Sequence, residues 1–230
     1  MLYLSWGQGT KSGGFAQSVT DLPNAGYAPE VAQTTELGVK YQGADRGITV
    51  NAAAFHTYVS QYQLVTFDGV GFQVGNTDLE SDGVESDVVV VPIRGLRLFW
   101  NNTYADAYNV PTGQAIPRAP RWTGVVGGAL VRPVSQTMQA EMDVTFNYRT
   151  RETQQENRYL VPTSPSFNTL NATLSLGSSD HGWSVQLIGR NLLNRRGYAF
   201  TFPDPVLQNG NAVTVPERPM TVTLELAKHF

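Results

Sequence analysis

The chain has 230 residues, of which 41% are hydrophobic, 10% aromatic and only 15% charged, with 22 Gly, 13 Pro and no Cys. The charged fraction lies well below the roughly 25% of an ordinary soluble protein, so the surface is poor in charge, and the chain is too rich in apolar side chains to be disordered. A net charge of −3 with scattered arginines excludes a nucleic-acid binder, and the absence of Cys excludes disulfide scaffolds and thiolate chemistry.

From the amino end, MLYLSWGQGTKSGG has no positive start, no continuous apolar stretch and no cleavage site. It reads as a strand already under way over residues 1–11 rather than as a secretory signal. Further strands are expected at 33–42, 47–62, 79–91, 95–107, 121–132, 137–150, 167–177, 182–194 and 218–230, because apolar residues recur at every second position. The longest aliphatic run, Val88 to Val91, is far too short for a spanning helix. In 137–150, Met138, Ala140, Met142, Val144, Phe146 and Tyr148 alternate with Gln139, Glu141, Asp143, Thr145, Asn147 and Arg149. Leu170, Ala172, Leu174 and Leu176 form the greasy row of 167–177, and Met220, Val222, Leu224, Leu226 and Phe230 that of the last segment. In 121–132 the parity is ambiguous, and in 47–62 only a modest preference puts Ile48, Val50, Ala52 and Tyr58 outward.

Most of these strands reach ten residues, the length needed to cross a bilayer at a tilt, whereas soluble sheets favour about 5 to 6. Long connections of roughly 13 to 23 residues alternate strictly with tight turns of about 3 or 4, as in an up-and-down barrel with one turn rim and one loop rim. The expectation is therefore an all-β, antiparallel, up-and-down transmembrane β-barrel of about ten strands, a single region over 1–230 with both termini on the short-turn side. A soluble sandwich would explain the greasy faces. It would not explain Glu141, Asp143, Arg149, Gln186, Arg190 and Glu225 on the opposite faces, which a wet lumen keeps hydrated.

Chemistry is sparse. His56, His181 and His229 stand apart with no metal-ligand spacing, so no metal or cofactor is expected. GVGFQVG, residues 69–75, spaces its glycines wrongly for a dinucleotide fingerprint and reads as a flexible loop. His56 lies on a strand rising toward the loop rim, as do the His and Asp of ten-stranded omptin proteases. Asp78 and Asp106 do not reproduce their paired acids, so no catalytic residue is expected.

Several segments carry a resemblance to a known family, the TonB-dependent outer-membrane receptors. KSGGF at 11–15 resembles that family's strand-to-loop element. Glu36, Leu37, Gly38 and Lys40 with Asn51, Ala53, Phe55 and Thr57 resemble one of its hairpins, and Asn76, Gly83, Val84, Glu85, Gly95 and Leu96 another. Pro120 with Trp122 resembles its P-x-W strand opening, and Asn191, Leu192, Asn194 and Tyr198 its N-L-x-N/D motif, with the Tyr one residue late. The terminal Phe230 with Met220, Val222, Leu224 and Leu226 resembles the signal read by the barrel-assembly machinery, from which Lys228 departs.

The resemblance implies the carboxyl-terminal part of a 22-stranded barrel, open at both edges, without the plug domain and TonB box of the complete members. It implies residence in the bacterial outer membrane, with outer-membrane lipid around the wall. It also implies import of a scarce nutrient, a ferric siderophore or similar small-molecule metal chelate, energised by TonB through the missing plug, and no enzymatic activity. Loop aromatics and arginines hold such chelates by stacking and charge. Phe15, Tyr27, Phe72, Tyr108, Arg118, Arg151, Arg158, Tyr159, Phe200 and Phe202 are the candidates here. The contrasting reading is a self-contained ten-stranded barrel, an omptin-like protease or a passive pore.

Overall fold

A computed structural model of the chain describes residues 1–16, 26–44, 47–67, 72–154, 163–178, 180, 182–203 and 212–228. In chain order the strands are β1 (Leu2–Lys11), β2 (Gly14–Phe15), β3 (Gly26–Tyr27), β4 (Glu30–Gln42), β5 (Ile48–Phe67), β6 (Phe72–Ile93) and β7 (Leu96–Asn109). They continue with β8 (Trp122–Pro133), β9 (Met138–Arg149), β10 (Phe167–Ser178), β11 (Trp183–Arg190), β12 (Tyr198–Pro203), β13 (Ala212–Pro216) and β14 (Thr221–Lys228). There is no helix among the described residues.

Ten strands form one antiparallel sheet in the order β1-β4-β5-β6-β7-β8-β9-β10-β11-β14, in which sequence neighbours are spatial neighbours. The sheet is open, with β1 and β14 as its two edges, as in part of a larger barrel. Two small hairpins, β2–β3 and β12–β13, sit within the long connections. The ten expected strands are all present. β5 and β6 run to 20 and 22 residues because GVGFQVG is not wholly a loop: Phe72–Gly75 is strand, paired with Leu64–Phe67. β11 ends at Arg190, where Asn191 and Asn194 adopt φ of +49° and +47° and turn the chain.

Register assigns every side chain to one of two faces. One outward row runs Val50, Val88, Trp100, Val126, Phe146 and Leu170 across β5 to β10, each opposite the next. Ambiguous β8 is thereby settled: Val126 faces outward because its partners are Trp100 and Phe146. At the edge, Leu2, Leu4 and Trp6 are 79%, 73% and 65% exposed. An apolar face this open needs hydrocarbon, not water, against it. The other face carries Glu141, Ser175, Gln186 and Glu225 in one continuous polar row, the lumenal wall.

The outward rows also mark where hydrocarbon ends. Ala54, Val84, Tyr104 and Trp122 form one row, and His56, Asp82 and Asp106 form the next above it. Charges facing lipid at the midplane cost about 2–4 kcal/mol and little at the interface, so the bilayer boundary falls between these rows. Tyr104 and Trp122 pack with ring centroids 4.9 Å apart at that level, as an aromatic girdle should. β5 and β6 continue well beyond it.

Some of the glycines and aromatics serve each other. In the ten-stranded sheet four aromatics lie over a glycine on the neighbouring strand: Tyr3 over Gly38, Phe55 over Gly83, Phe99 over Gly127 and Tyr148 over Gly124. A Cβ at any of these glycines would run into the ring, so the pairs fix register and fill the pleat at once.

Candidate functional site

The lumenal wall holds a cleft of about 790 Å³ at mid-height, lined by Tyr3, Glu36, Lys40, Asn51, Asp87 and Asn101 among others. Its polar groups are largely matched to one another. The Tyr3 hydroxyl donates to Glu36, the Lys40 ammonium stands 5.2 Å over the Tyr3 ring, and the Asn51 amide donates to Asp87 at 3.3 Å. This region is a wetted wall rather than a reactive centre.

Above it, the connection between β7 and β8 folds back onto the inner face. Val110 donates to the Asp78 carbonyl at 2.8 Å, Asn109 to Gln114 at 2.8 Å and Ile116 to Ala107 at 3.1 Å. Ile116, only 6% exposed, packs on Val59 and Leu79, with Ala32, Tyr62, Ala107 and Ala119 around them. This is the one apolar core cluster among the described residues. Tyr62 lies beyond the bilayer boundary. Burial raises its phenol pKa, the nearby Glu30 carboxylate raises it further, and the Arg118 guanidinium pulls the other way.

Arg118 ties three connections together. It sits at φ +58°, a conformation a non-Gly residue adopts only when its surroundings impose it. Its N–H donates to the Thr153 carbonyl at 2.7 Å, and its guanidinium lies 5.4 Å from the Phe200 ring centroid on β12. Two of the candidate ligand residues, 118 and 200, thus meet over the lumen in a cation–π contact. Nearby, Arg149 pairs with Glu217 at 3.2 Å, approaches Glu152 at 4.0 Å and stacks over Phe167 at 5.2 Å. Glu152 is 8% exposed and accepts from the Gln154 amide at 2.9 Å.

The other candidates are dispersed. Phe15 is exposed on β2, and Tyr27 pairs with Gly14 on β3. Tyr108 stands opposite Glu80 on the outward face, and its hydrogen bond to that carboxylate raises its pKa. Arg151 is exposed between β9 and β10. The backbones of Phe72 and Phe202 pair with Phe67 and Val213, but their side chains, like Arg158, Tyr159 and Phe230, lie outside the described residues. Val222, Leu224 and Leu226 share the exposed outward row of β14, and Met220, also exposed, immediately precedes the strand.

His56 Nδ1 and Asp82 Oδ1 are 2.8 Å apart, with Glu80 close by, all on the outward face above the girdle. Asp106 pairs instead with Arg121 at 2.9 Å. The pattern is a solvated belt, not a lumenal catalytic pair.

Sequence reasoning missed Ile116 and the Asn191 clamp. The signal for Ile116 was present, as the lone large aliphatic in TGQAIPRAP. Asn191, 4% exposed, donates its amide to the carbonyls of Arg195 and Arg218 at 2.9 Å each and accepts from the Arg195 N–H at 3.0 Å. It fastens the exit of β11 to the entry of β14. Only contacts more than twenty residues apart reveal that role.

Comparison with known proteins agrees with this geometry. Residues 1–192 match a family described as TonB dependent receptor-like, beta-barrel. The ferric yersiniabactin uptake receptor FyuA from Yersinia pestis superposes with a TM-score of 0.80 at 18% identity, covering 97% of this chain and 34% of that one. The ferric preacinetobactin receptor BauA from Acinetobacter baumannii gives 0.70 at 16% identity, over 98% and 33%. The copper transporter OprC gives 0.77 at 14% identity, over 100% and 37%. The chain therefore spans about a third of the length of these structures, and at such identities they share its fold.

Proposed function

Because the chain belongs to the TonB-dependent receptor-like β-barrel family of the bacterial outer membrane, we propose that it forms the carboxyl-terminal wall of a receptor importing a scarce nutrient as a metal chelate. The structural neighbours are transport receptors, and in this reading the chain performs no covalent chemistry. A ferric siderophore or a similar chelate is the proposed cargo. TonB would supply the energy through a plug contributed by other parts of the receptor, and the barrel-assembly machinery would read the last strand. In-frame codons for further strands and a plug upstream of Met1 would support this division; a signal peptide joined directly to this segment would contradict it.

The observation that carries the proposal is Arg118 held over Phe200 at the top of the lumen. A guanidinium beside an aromatic face suits an anionic, aromatic chelate, because charge and stacking act on the same molecule. Refolded chain is titrated with ferric citrate, a ferric catecholate and a cupric chelate by tryptophan fluorescence. The expected result is saturable binding of one of these, weakened about tenfold in Arg118→Ala, the loss of one charge-assisted contact of roughly 1.5 kcal/mol. Binding unaffected by the substitution would remove Arg118 from the site, and no binding by any chelate would count against the cargo class.

A further inference from the structure

Above the aromatic girdle the outward face carries Asp78, Glu80 and Asp82 from β6 and Asp106 from β7. Arg121 pairs with Asp106 at 2.9 Å, and the hydroxyls of Tyr58 and Tyr108 donate to Asp78 and Glu80. Among the described residues Asp82 has neither a guanidinium nor a phenol. It faces an imidazole instead, with His56 Nδ1 2.8 Å from its Oδ1. A carboxylate oxygen of Glu80 completes the group, and the three ligand atoms all lie within 4.8 Å of one another.

Spacing along the chain hides this group, because its members meet only through the pairing of β5 with β6. His56 stands directly opposite Asp82, and Tyr58 opposite Glu80, so Glu80 is the diagonal neighbour of His56 on the same face. Both strands are long, paired on both sides here, and hold the three Cα positions fixed. Ligand atoms about 2.1 Å from a tetrahedral ion stand roughly 3.4 Å apart, so side-chain rotation alone brings the three onto one ion.

We propose that His56, Glu80 and Asp82 form a site for a divalent first-row transition cation of the zinc class, with water completing the shell. Glu80 and Asp82 lie two residues apart on one face, and a divalent ion neutralises both carboxylates at once. The imidazole nitrogen selects zinc and its neighbours over calcium and magnesium, which take oxygen ligands. The side chains of His56 and Asp82 are 52% and 58% exposed, so a hydrated ion reaches them and retains water. The proton held between Nδ1 and Oδ1 leaves to solvent as the ion enters. The site lies on the outer face of the wall, away from the lumen and from Arg118, and is independent of the cargo. A bound ion joins β5 to β6 just before the register shift between Val59 and Tyr62.

The test titrates the untagged 230-residue chain, in phosphatidylcholine vesicles, with zinc chloride by isothermal titration calorimetry. Wild type should bind one equivalent, and X-ray absorption of the bound zinc should show one imidazole nitrogen together with oxygens. His56→Gln, Glu80→Gln and Asp82→Asn should each weaken binding at least tenfold, whereas Asp87→Asn, in the lumenal cleft, should change it less than twofold. Millimolar calcium should leave the zinc in place. Binding unaffected by His56→Gln, zinc surrounded by oxygen alone, or displacement by calcium would each reduce the group to a diffuse acidic belt and overturn the proposal. Should His56→Gln lose the far-ultraviolet signature of β structure, Asp82→Asn carries the same comparison.

Discussion

The wall between β5 and β10 and the rim above it obey different physics. In the wall, each residue's environment depends on its parity alone, since lipid lies on one side and water on the other. Val144 and Thr145 are adjacent in sequence yet occupy opposite solvents. At the rim no bilayer sorts the side chains, and order comes from a few long-range contacts: Ile116 on Val59 and Leu79, Arg118 on Thr153 and Phe200, Arg149 on Glu217. The wall is thus robust to exchange within a face and intolerant of charge on the outer face. The rim is sensitive at a handful of positions and free elsewhere.

The strongest way to break this contrast is a pair of arginines one residue apart. Val144→Arg should destabilise the membrane-inserted chain by about 2–4 kcal/mol, whereas Thr145→Arg, facing the lumen, should cost less than about 0.5, both read from urea unfolding in lipid vesicles. Equal costs would show that the two faces do not meet different solvents. At the rim, Ile116→Ala should cost about 2 kcal/mol, near the low end for a buried aliphatic because the cluster is small. That loss should stay local, read as faster hydrogen exchange at residues 107–118 with β9 and β10 unchanged. A global loss would mean the wall depends on the rim.

A smaller effect probes the aromatic-over-glycine device within the wall. A Cβ at Gly83 would overlap the Phe55 ring and come within 2.5 Å of the Tyr104 carbonyl oxygen, while one at Gly7 meets nothing within 4 Å. Gly83→Ala should therefore lower stability by about 1–2 kcal/mol, and Gly7→Ala should change it by less than about 0.5. Comparable midpoints in denaturant would show that these rings are not pinned by their glycines.

The same contrast explains what could be foreseen from the sequence. The strands of the wall, their alternation and their turns were legible because period-two patterning is local and the bilayer makes it absolute. Even the ambiguous β8 needed only its neighbours' parity. The small hairpins β2–β3 and β12–β13 were not legible, since their short strands carry no periodic signal. Nor was the inward fold of residues 110–121, which depends on an apolar surface of Val59 and Leu79 supplied by β5 and β6, far away in sequence. Of the candidate ligand residues, Arg118 and Phe200 are brought together, whereas Tyr108 faces outward, because residue type on a loop says nothing about the side of the wall it will occupy.

Alternate exposure of β9 to hydrocarbon and water is the premise beneath both the barrel and its place in the outer membrane. Single cysteines placed at each position from 138 to 149, in membranes containing the chain, can be labelled with a charged maleimide and, separately, with a bimane quenched by spin-labelled lipid. Lipid quenching is expected at 140, 142, 144 and 146, with maleimide labelling at 139, 141, 143 and 145. Strong labelling at every position, or protection from both reagents at the apolar ones, would contradict it.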